Sequence, residues 1–442
     1  MRSNIIMEKT SQPPAGSGLA FAVGFYFSAR IIISLFAVRV LGTEPGTGAG
    51  ISLALNLLLL VFAAFYSLGP GNRTFGSILR LSSSRWVLVF LMVSCCSLAW
   101  SGTVSLPTSS LYWCGMAADV AIVVLLFRTR QVMEVSHSLM KGFIWSTCFL
   151  ALIAWIMPTQ ADLRLGDETF LNTNQIGNLC AFTIFLAQYL MRRKDGKWEP
   201  AIFFLTITLL RSLSKTTIIA FVLSEGFLIL QDRSMNRKTK MLLTSAVFLT
   251  ILIFWGLFEA YYNIYTNAGN QAETLTGRIG IWAYALTAGL EKPWIGHGFD
   301  SMWKIAPPFG PDRFEPRHAE NELLQQFYAY GVVGIVMLAG LYGSLYRNIR
   351  RLQQGPVKII LTSMILFILV RGFAEAEAFD LLLPLWMIVL IGTLVDDEDP
   401  LQYTENGPAA EPDMHRPEIT KSLRKIPPRN PGPIAIQPRF HQ

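Results

Sequence analysis

The sequence predicts an all-α, polytopic integral membrane protein of about twelve transmembrane helices, with a large periplasmic loop between the ninth and tenth. Three observations carry that expectation. The 442 residues are 52% hydrophobic and 15% charged, with mean hydropathy +0.40, more apolar surface than one soluble core would bury. Apolar runs of roughly the 20 residues that a crossing needs recur along the chain. Lys and Arg gather in alternate connections between those runs, as they do on the cytoplasmic side of membranes.

In order, the runs are Leu19 to Val40, Ile51 to Leu68, Trp86 to Trp100, Leu111 to Phe127, Gly142 to Met157 and Ile176 to Met191. Six follow: Pro200 to Leu213, Thr216 to Leu230, Met241 to Leu257, Leu323 to Tyr346, Ile359 to Val370 and Phe379 to Leu394. Several are short, so the connections provide the check. Basic residues cluster in 69–85, 128–141, 192–199, 231–240 and 347–358, whereas 42–50, 101–110 and 372–377 carry no Lys or Arg. That alternation puts both termini in the cytoplasm and would break if one span were dropped. Residues 1–18 read as a cytoplasmic N-terminus leading into an uncleaved first helix. The segment 396–442 is acidic and then Pro-rich, and reads as a disordered cytoplasmic tail. A net charge of +7 spread over small loop clusters points to no nucleic acid partner. All five cysteines lie in apolar runs without ligand spacing, as packing residues do.

Residues 259–321 form the one long connection. Their aromatic, Gly and Pro content ("WAYALTAGLEKPWIGHGFDSMW") reads as a folded cap on the periplasmic side. Charges elsewhere sit where lipid would exclude them. In "LLRSLSKTTI", Arg211 and Lys215 occupy a tight hairpin between two short spans; either they snorkel to headgroups or they face a cavity. Arg371 is followed by Glu375, Glu377 and Asp380, which a local ion pair would explain. Arg164 and Asn174 flank the start of the sixth span, where the asparagine reads as an N-cap. The cap adds Arg278, His297 and His318. Were the segment from Arg317 helical, His318, Asn321 and Gln325 would share one face. Gly331 and Gly334 would then allow close approach to a neighbouring helix. Taken together, cations at one depth suit a phosphate carried on a lipid, because guanidinium groups grip phosphate oxygens in pairs.

The run "LTGRIGIWAYALTAGLEKPWIGHGFDSMW" followed by "HAENELLQQFYAYGVVG" resembles the O-antigen ligase and polymerase superfamily, and within it the exopolysaccharide polymerases of the succinoglycan type. Four elements of that pattern occur in order: Arg278 with Trp282, Pro293 to Trp303, His318 with Asn321, and Gly331 with Gly334. "SLSKTT" resembles the family's hairpin, with Lys215 where many members carry arginine. "RGFAEAEAF" resembles its late segment at Arg371 and Glu375. "NTNQIG" matches at Asn174 but lacks the proline or histidine often beside it.

The resemblance implies an inner-membrane glycosyltransferase whose donor is a glycan on undecaprenyl diphosphate and whose acceptor is a sugar hydroxyl. His318 would be the general base, with Glu320 as the alternative, and Arg278 would face the leaving phosphate. Arg211, Lys215, Arg164, Asn174, Asn321, Arg371 and Glu375 would bind substrate. No metal and no cofactor are expected, because the loop lacks a paired-carboxylate motif, and a chain-length regulator is a possible partner. Polymerase and ligase differ in acceptor, another lipid-linked repeat unit or a lipid A core sugar. A lipid-linked oligosaccharide flippase would share the span count but predicts internal repeats and ionisable groups near the midplane.

Overall fold

The structure, a computed structural model, describes residues 17–397 apart from 44, 70–77, 79–80, 129–130, 161–162, 167–170, 233–235, 254–255, 257–258, 260–274 and 310–312. The expected N-terminal segment, the tail beyond Asp397 and the first part of the long loop lie outside the described residues. Those described form thirteen helices and an isolated bridge between Phe309 and Phe314. The helices are α1 (Ser17–Arg39), α2 (Pro45–Ser67), α3 (Ser82–Ser97), α4 (Leu106–Leu126), α5 (Val132–Ile156), α6 (Thr173–Arg192) and α7 (Glu199–Arg211). After them come α8 (Lys215–Gln231), α9 (Arg237–Ile253), α10 (Leu275–Glu291), α11 (Glu322–Arg351), α12 (Pro356–Gly372) and α13 (Leu385–Asp397). Each expected apolar run overlaps a helix, and α10 is the element added inside the long loop. Five helices, in α1, α2, α4, α5 and α11, are long and apolar enough to cross a membrane by length and composition. Apart from that bridge the described residues form only helices, turns and bends, consistent with a polytopic membrane protein.

Packing follows side-chain size and polarity. On α1 and α5 the backbones touch at glycines: a Cβ on Gly24 would lie 1.9 Å from the Leu139 carbonyl oxygen, and one on Gly142 2.0 Å from that of Phe21. Small residues substitute here for the hydrophobic drive that lipid removes. Hydroxyls of Ser28, Thr147 and Thr183 join α1, α5 and α6 at 3.0 Å each. Helix α13 is apolar on every side and buried from Leu385 to Val395, so it is the bundle's centre, with Trp386 against Phe27 and Phe143. By contrast α2 exposes Leu57, Leu58, Val61, Phe62 and Phe65, as a lipid-facing helix does. An ion pair missed by the sequence reading crosses this core: Arg30 of α1 meets Asp119 of α4 at 2.5 Å, and Asn56 of α2 donates to Asp119 at 2.8 Å. The signal was legible as lone charges of opposite sign in two separate apolar runs.

The run expected as a single span at Leu323 to Tyr346 is instead folded. A straight helix would place residues 322 and 342 about 30 Å apart, yet Tyr342 Oη donates to Glu322 Oε1 at 2.7 Å. The reversal is at Gly331 (φ 62, ψ −147), a conformation open in practice to glycine alone. The turn "PWIGHG" fills the break. Val332 and Val333 amides donate to the carbonyls of Pro293 and Trp294, while Tyr328 and Ala329 carbonyls accept from the amides of His297 and Gly298, at 2.7 to 3.3 Å. Two donors and two acceptors freed by the bend are thereby satisfied, as apolar surroundings require. The residues just after this turn reach the end of α3 and the start of α4, where Phe299 N–H donates to Ser97 Oγ and Ser109 Oγ donates to Asp300 Oδ2. Gly334 lies inside the bend, with no room for a Cβ against the Gln326 carbonyl. Both glycines therefore serve the reversal and not a contact with another helix.

Candidate active site

Helix α10, the first turn of α11 and the end of α12 converge on the segment that precedes α11. The expected polar stripe does not form, because the helix starts at Glu322 and His318 lies in the bend before it. Asn321 is the N-cap: its Oδ1 accepts from Leu324 N at 3.0 Å, and its Nδ2 donates to the Phe373 carbonyl at 2.9 Å. Gln325 Oε1 accepts from Ala319 N at 2.9 Å, closing the hook. His318, Asn321 and Gln325 are still neighbours, held by capping and not by helical periodicity.

On α10, Arg278 and Trp282 stand one turn apart and face this hook. Trp282 Nε1 donates to the Glu320 carbonyl at 3.1 Å. Arg278 Nη1 donates to the Ala374 carbonyl, and its Nη2 lies 3.3 Å from Glu320 Oε2 and 4.0 Å from Glu375 Oε2. His318 Nδ1 accepts from the Glu320 amide at 3.3 Å and sits 3.7 Å from Glu320 Oε1. A neutral ring that accepts at Nδ1 carries its proton on Nε2. Loss of hydration on burial pushes the His318 pKa down; Glu375 and Glu377 oppose this, and Arg278 and Arg371 reinforce it. Burial also pushes the Glu377 carboxyl up.

Arg371, at the end of α12, is 1% exposed. Among the described residues it makes no ion pair, so the expected local pairing with Glu375, Glu377 or Asp380 is replaced by another partner. Its Nε donates to Thr217 Oγ1 on α8 at 3.3 Å. Thr217 shares a hydrogen bond with Ser214 Oγ at 2.8 Å, and Ser214 donates to Asn174 Oδ1 at 2.7 Å. A relay of hydroxyls thus joins Asn174, the α7–α8 hairpin and Arg371. Asn174 is not the N-cap of α6: Asn172 is, accepting from the Asn174 amide at 2.8 Å. At this centre Arg371 Nη1 and Glu375 Oε2 are among the twelve buried side-chain atoms of the described residues that have no hydrogen-bond partner, although Glu375 Oε2 keeps its ion-pair contact with Arg278. Buried polar groups are rarely left so, and each marks where a ligand atom would be welcomed.

The remaining candidates lie beside this centre. Arg211 Nη1 donates to the Leu163 carbonyl at 2.5 Å, next to half-buried Arg164, so these two form a second basic group at the start of the hairpin. Lys215 opens α8 and is exposed. His297, by contrast, is structural, stacked on Tyr328 with its Nε2 2.8 Å from the Ala288 carbonyl oxygen. The expected absence of a metal meets one geometric counterpoint. His318, Glu320 and Glu375 present ligand atoms within 4.8 Å of one another, a grouping that spacing alone would suit to a cation. Arg278 already brings positive charge among them. A wholly apolar groove of about 570 Å³ between α1, α2 and α5, with Phe25, Tyr26 and Phe36 on its walls, includes none of these residues.

Residues 200–339 match the family model described as O-Antigen ligase. A curated relative named O-antigen ligase, from Pseudomonas aeruginosa strain PAO1, is 28% identical over 99 residues, covering 22% of this chain and 24% of that protein. The chain therefore aligns with about a quarter of the relative's length.

Proposed function

From its place in the O-antigen ligase/polymerase superfamily, we propose that this chain is a membrane glycosyltransferase that joins undecaprenyl-diphosphate-linked oligosaccharide repeats into exopolysaccharide at the periplasmic face of the inner membrane. The observation that carries this reading is the convergence of Arg278, His318, Glu320 and Glu375 beside a buried Arg371 whose Nη1 is unsatisfied. In the proposed step an acceptor hydroxyl attacks the anomeric carbon and the bond to the lipid diphosphate breaks. The electron pair passes to the leaving phosphate oxygen and the hydroxyl proton to the imidazole of His318. Glu320 then faces the imidazolium it helped to form, while Arg278 and Arg371 meet the departing charge, with Arg211 and Lys215 at the rim. Attack opposite the leaving group inverts the anomeric configuration, and the guanidinium performs what a divalent ion does elsewhere, so chelators leave the rate unchanged.

The architecture behind this reading is a twelve-span protein with cytoplasmic segments at 1–18 and 396–442, spans over 19–258 and 322–395, and a periplasmic cap at 259–321. The test is purified protein with a defined lipid-diphosphate oligosaccharide: a ladder of products is expected, and its absence refutes the reading. A second reading, transfer of finished glycan to lipid A core, is favoured by the description of both matches. A deletion strain separates the two, since single repeats on lipid mark a polymerase and unattached long chains a ligase.

A further inference from the structure

The cap has a small core of its own, separate from that of the bundle. Met302, Ala306 and Ala319, each at most 4% exposed, pack there with α10 and Tyr328. Tyr328 Oη donates to the Ser301 carbonyl at 3.1 Å, and the backbones of Phe309 and Phe314 exchange two hydrogen bonds at 2.8 and 2.9 Å. Residues 301–309 and 314–319 are therefore tied to each other and to the hook. On this frame stands the half-buried Trp303, with exposed Lys304 and Arg317 against it. Lys304 Nζ and Arg317 Cζ each lie 4.6 Å from the centre of the indole ring, so the two charges are no farther apart than twice that distance. The ring face attracts each cation, while the cations repel each other. Among the described residues neither makes an ion pair. Asp300 feels the Arg317 charge, but its carboxylate accepts from Ser109 Oγ at 2.6 Å and belongs to the contact with α4. Lys304 also holds φ 60, a left-handed conformation that costs a lysine free energy and that recurs at ligand clamps. Arg317 adjoins His318 in the chain. Two cations are thus held side by side next to the reacting imidazole.

We propose that Trp303, Lys304 and Arg317 form an acceptor subsite for an acidic saccharide, in which the indole keeps both cations in place and they grip the carboxylate of a sugar near the attacking hydroxyl. The inference deepens the proposed reaction by naming the chemical class of its acceptor, and rests on that reading. A carboxylate meets the planar guanidinium through two parallel hydrogen bonds and removes the repulsion between the cations. The place of the pair selects a saccharide over a lipid headgroup: both cations rise from the cap's own core, and the chain that carries Arg317 runs directly into the imidazole. Lys304 and Arg317 lie outside the four sequence elements on which the family resemblance rests, so they would set which acceptor is taken and not whether transfer occurs.

The test is a binding measurement that needs no turnover. Full-length protein in phosphatidylcholine nanodiscs is titrated, with saturation-transfer NMR as readout, against cellobiouronic acid and against cellobiose, which differ in one carboxylate. The wild type is expected to bind the acid about three- to tenfold more tightly, as two exposed ion pairs allow, and to lose that preference in high salt. Lys304→Gln combined with Arg317→Gln should abolish the preference without moving the unfolding midpoint. Trp303→Leu, which keeps both cations but removes the ring that holds them, should reduce it severalfold. Equal or unmeasurable binding of the two sugars by the wild type, or a preference that survives in the double variant, would overturn the subsite. Nanodiscs containing phosphatidylglycerol separate the other source of an anion: a retained preference supports the saccharide, and a lost one assigns the cations to lipid headgroups and overturns it. Wild-type protein that prefers the acid yet makes no glycosidic product sinks the proposed function and leaves the subsite standing, whereas a product ladder from protein without the preference does the reverse.

Discussion

At the scale of single residues, His318 is the group whose chemistry is most exposed to test. Burial lowers its pKa, so the neutral base persists below the ordinary histidine value of about 6.5. The sign follows: activity is lost as pH falls through the lowered pKa, so the acid limb of kcat/KM is expected below pH 6.5. Glu375→Gln removes a charge that raises this pKa and should move the limb to still lower pH. A limb above 6.5, or one that shifts upward in the variant, excludes His318 as base. Replacing His318 with Ala should cost about 10² to 10⁴ in kcat. Arg278 spans a carbonyl and two carboxylates with one planar fork, which an ammonium cannot do. Arg278→Lys is therefore expected to lose most of what Arg278→Ala loses, whereas Lys215→Arg, at an exposed position, should retain activity. Activity retained in Arg278→Lys as fully as in Lys215→Arg would show that Arg278 acts as a charge alone.

The same contrast governs the elements. Every apolar run announced a helix, because an apolar stretch in lipid has few other ways to satisfy its backbone. The reversal in α11 was not legible, since the residues from Leu323 to Tyr346 form an apolar run on either side of Gly331, and what breaks the helix is a turn more than thirty residues earlier. The hook was half legible: sequence identified His318 and Asn321, but capping decided their geometry, and the N-cap of α6 fell on Asn172 and not Asn174 for the same local reason. Gly331 offers the test. With φ 62 and a prospective Cβ 2.4 Å from the Pro293 carbonyl oxygen, Gly331→Ala should destabilise by at least about 2 kcal/mol, read as a fall in the unfolding midpoint in detergent together with lost activity. Gly343, on the returning arm with nothing within 4 Å, is the control, and Gly343→Ala should be neutral or stabilising by up to about 1 kcal/mol. Similar midpoints for the two variants would mean that the 293–298 turn does not hold the bend.

For the whole molecule the question is sidedness. The returning arm of α11 ends in Arg347, Arg350 and Arg351, and Lys358 closes that end by donating to the carbonyls of Arg350 and Leu352. The cap, with Lys304 and Arg317 against the Trp303 ring, follows the turn that meets the opposite end of the same arm beside Gly331. Cations at a helix end fix orientation only when they lie in short connections, and 351–356 is such a connection, while the cap's cations belong to a folded unit that translocates regardless of charge. The basic end of α11 is thus expected in the cytoplasm and the hook at His318 on the far side, where the proposed donor would be displayed. A variant lacking the five native cysteines, which are free in the structure, isolates the measurement. In intact spheroplasts a membrane-impermeant maleimide should label Lys304→Cys and spare Arg351→Cys, and permeabilisation should expose both. Labelling of Arg351→Cys alone before permeabilisation would turn the molecule over, place His318 and Arg278 in the cytoplasm, and remove the proposed donor from their reach.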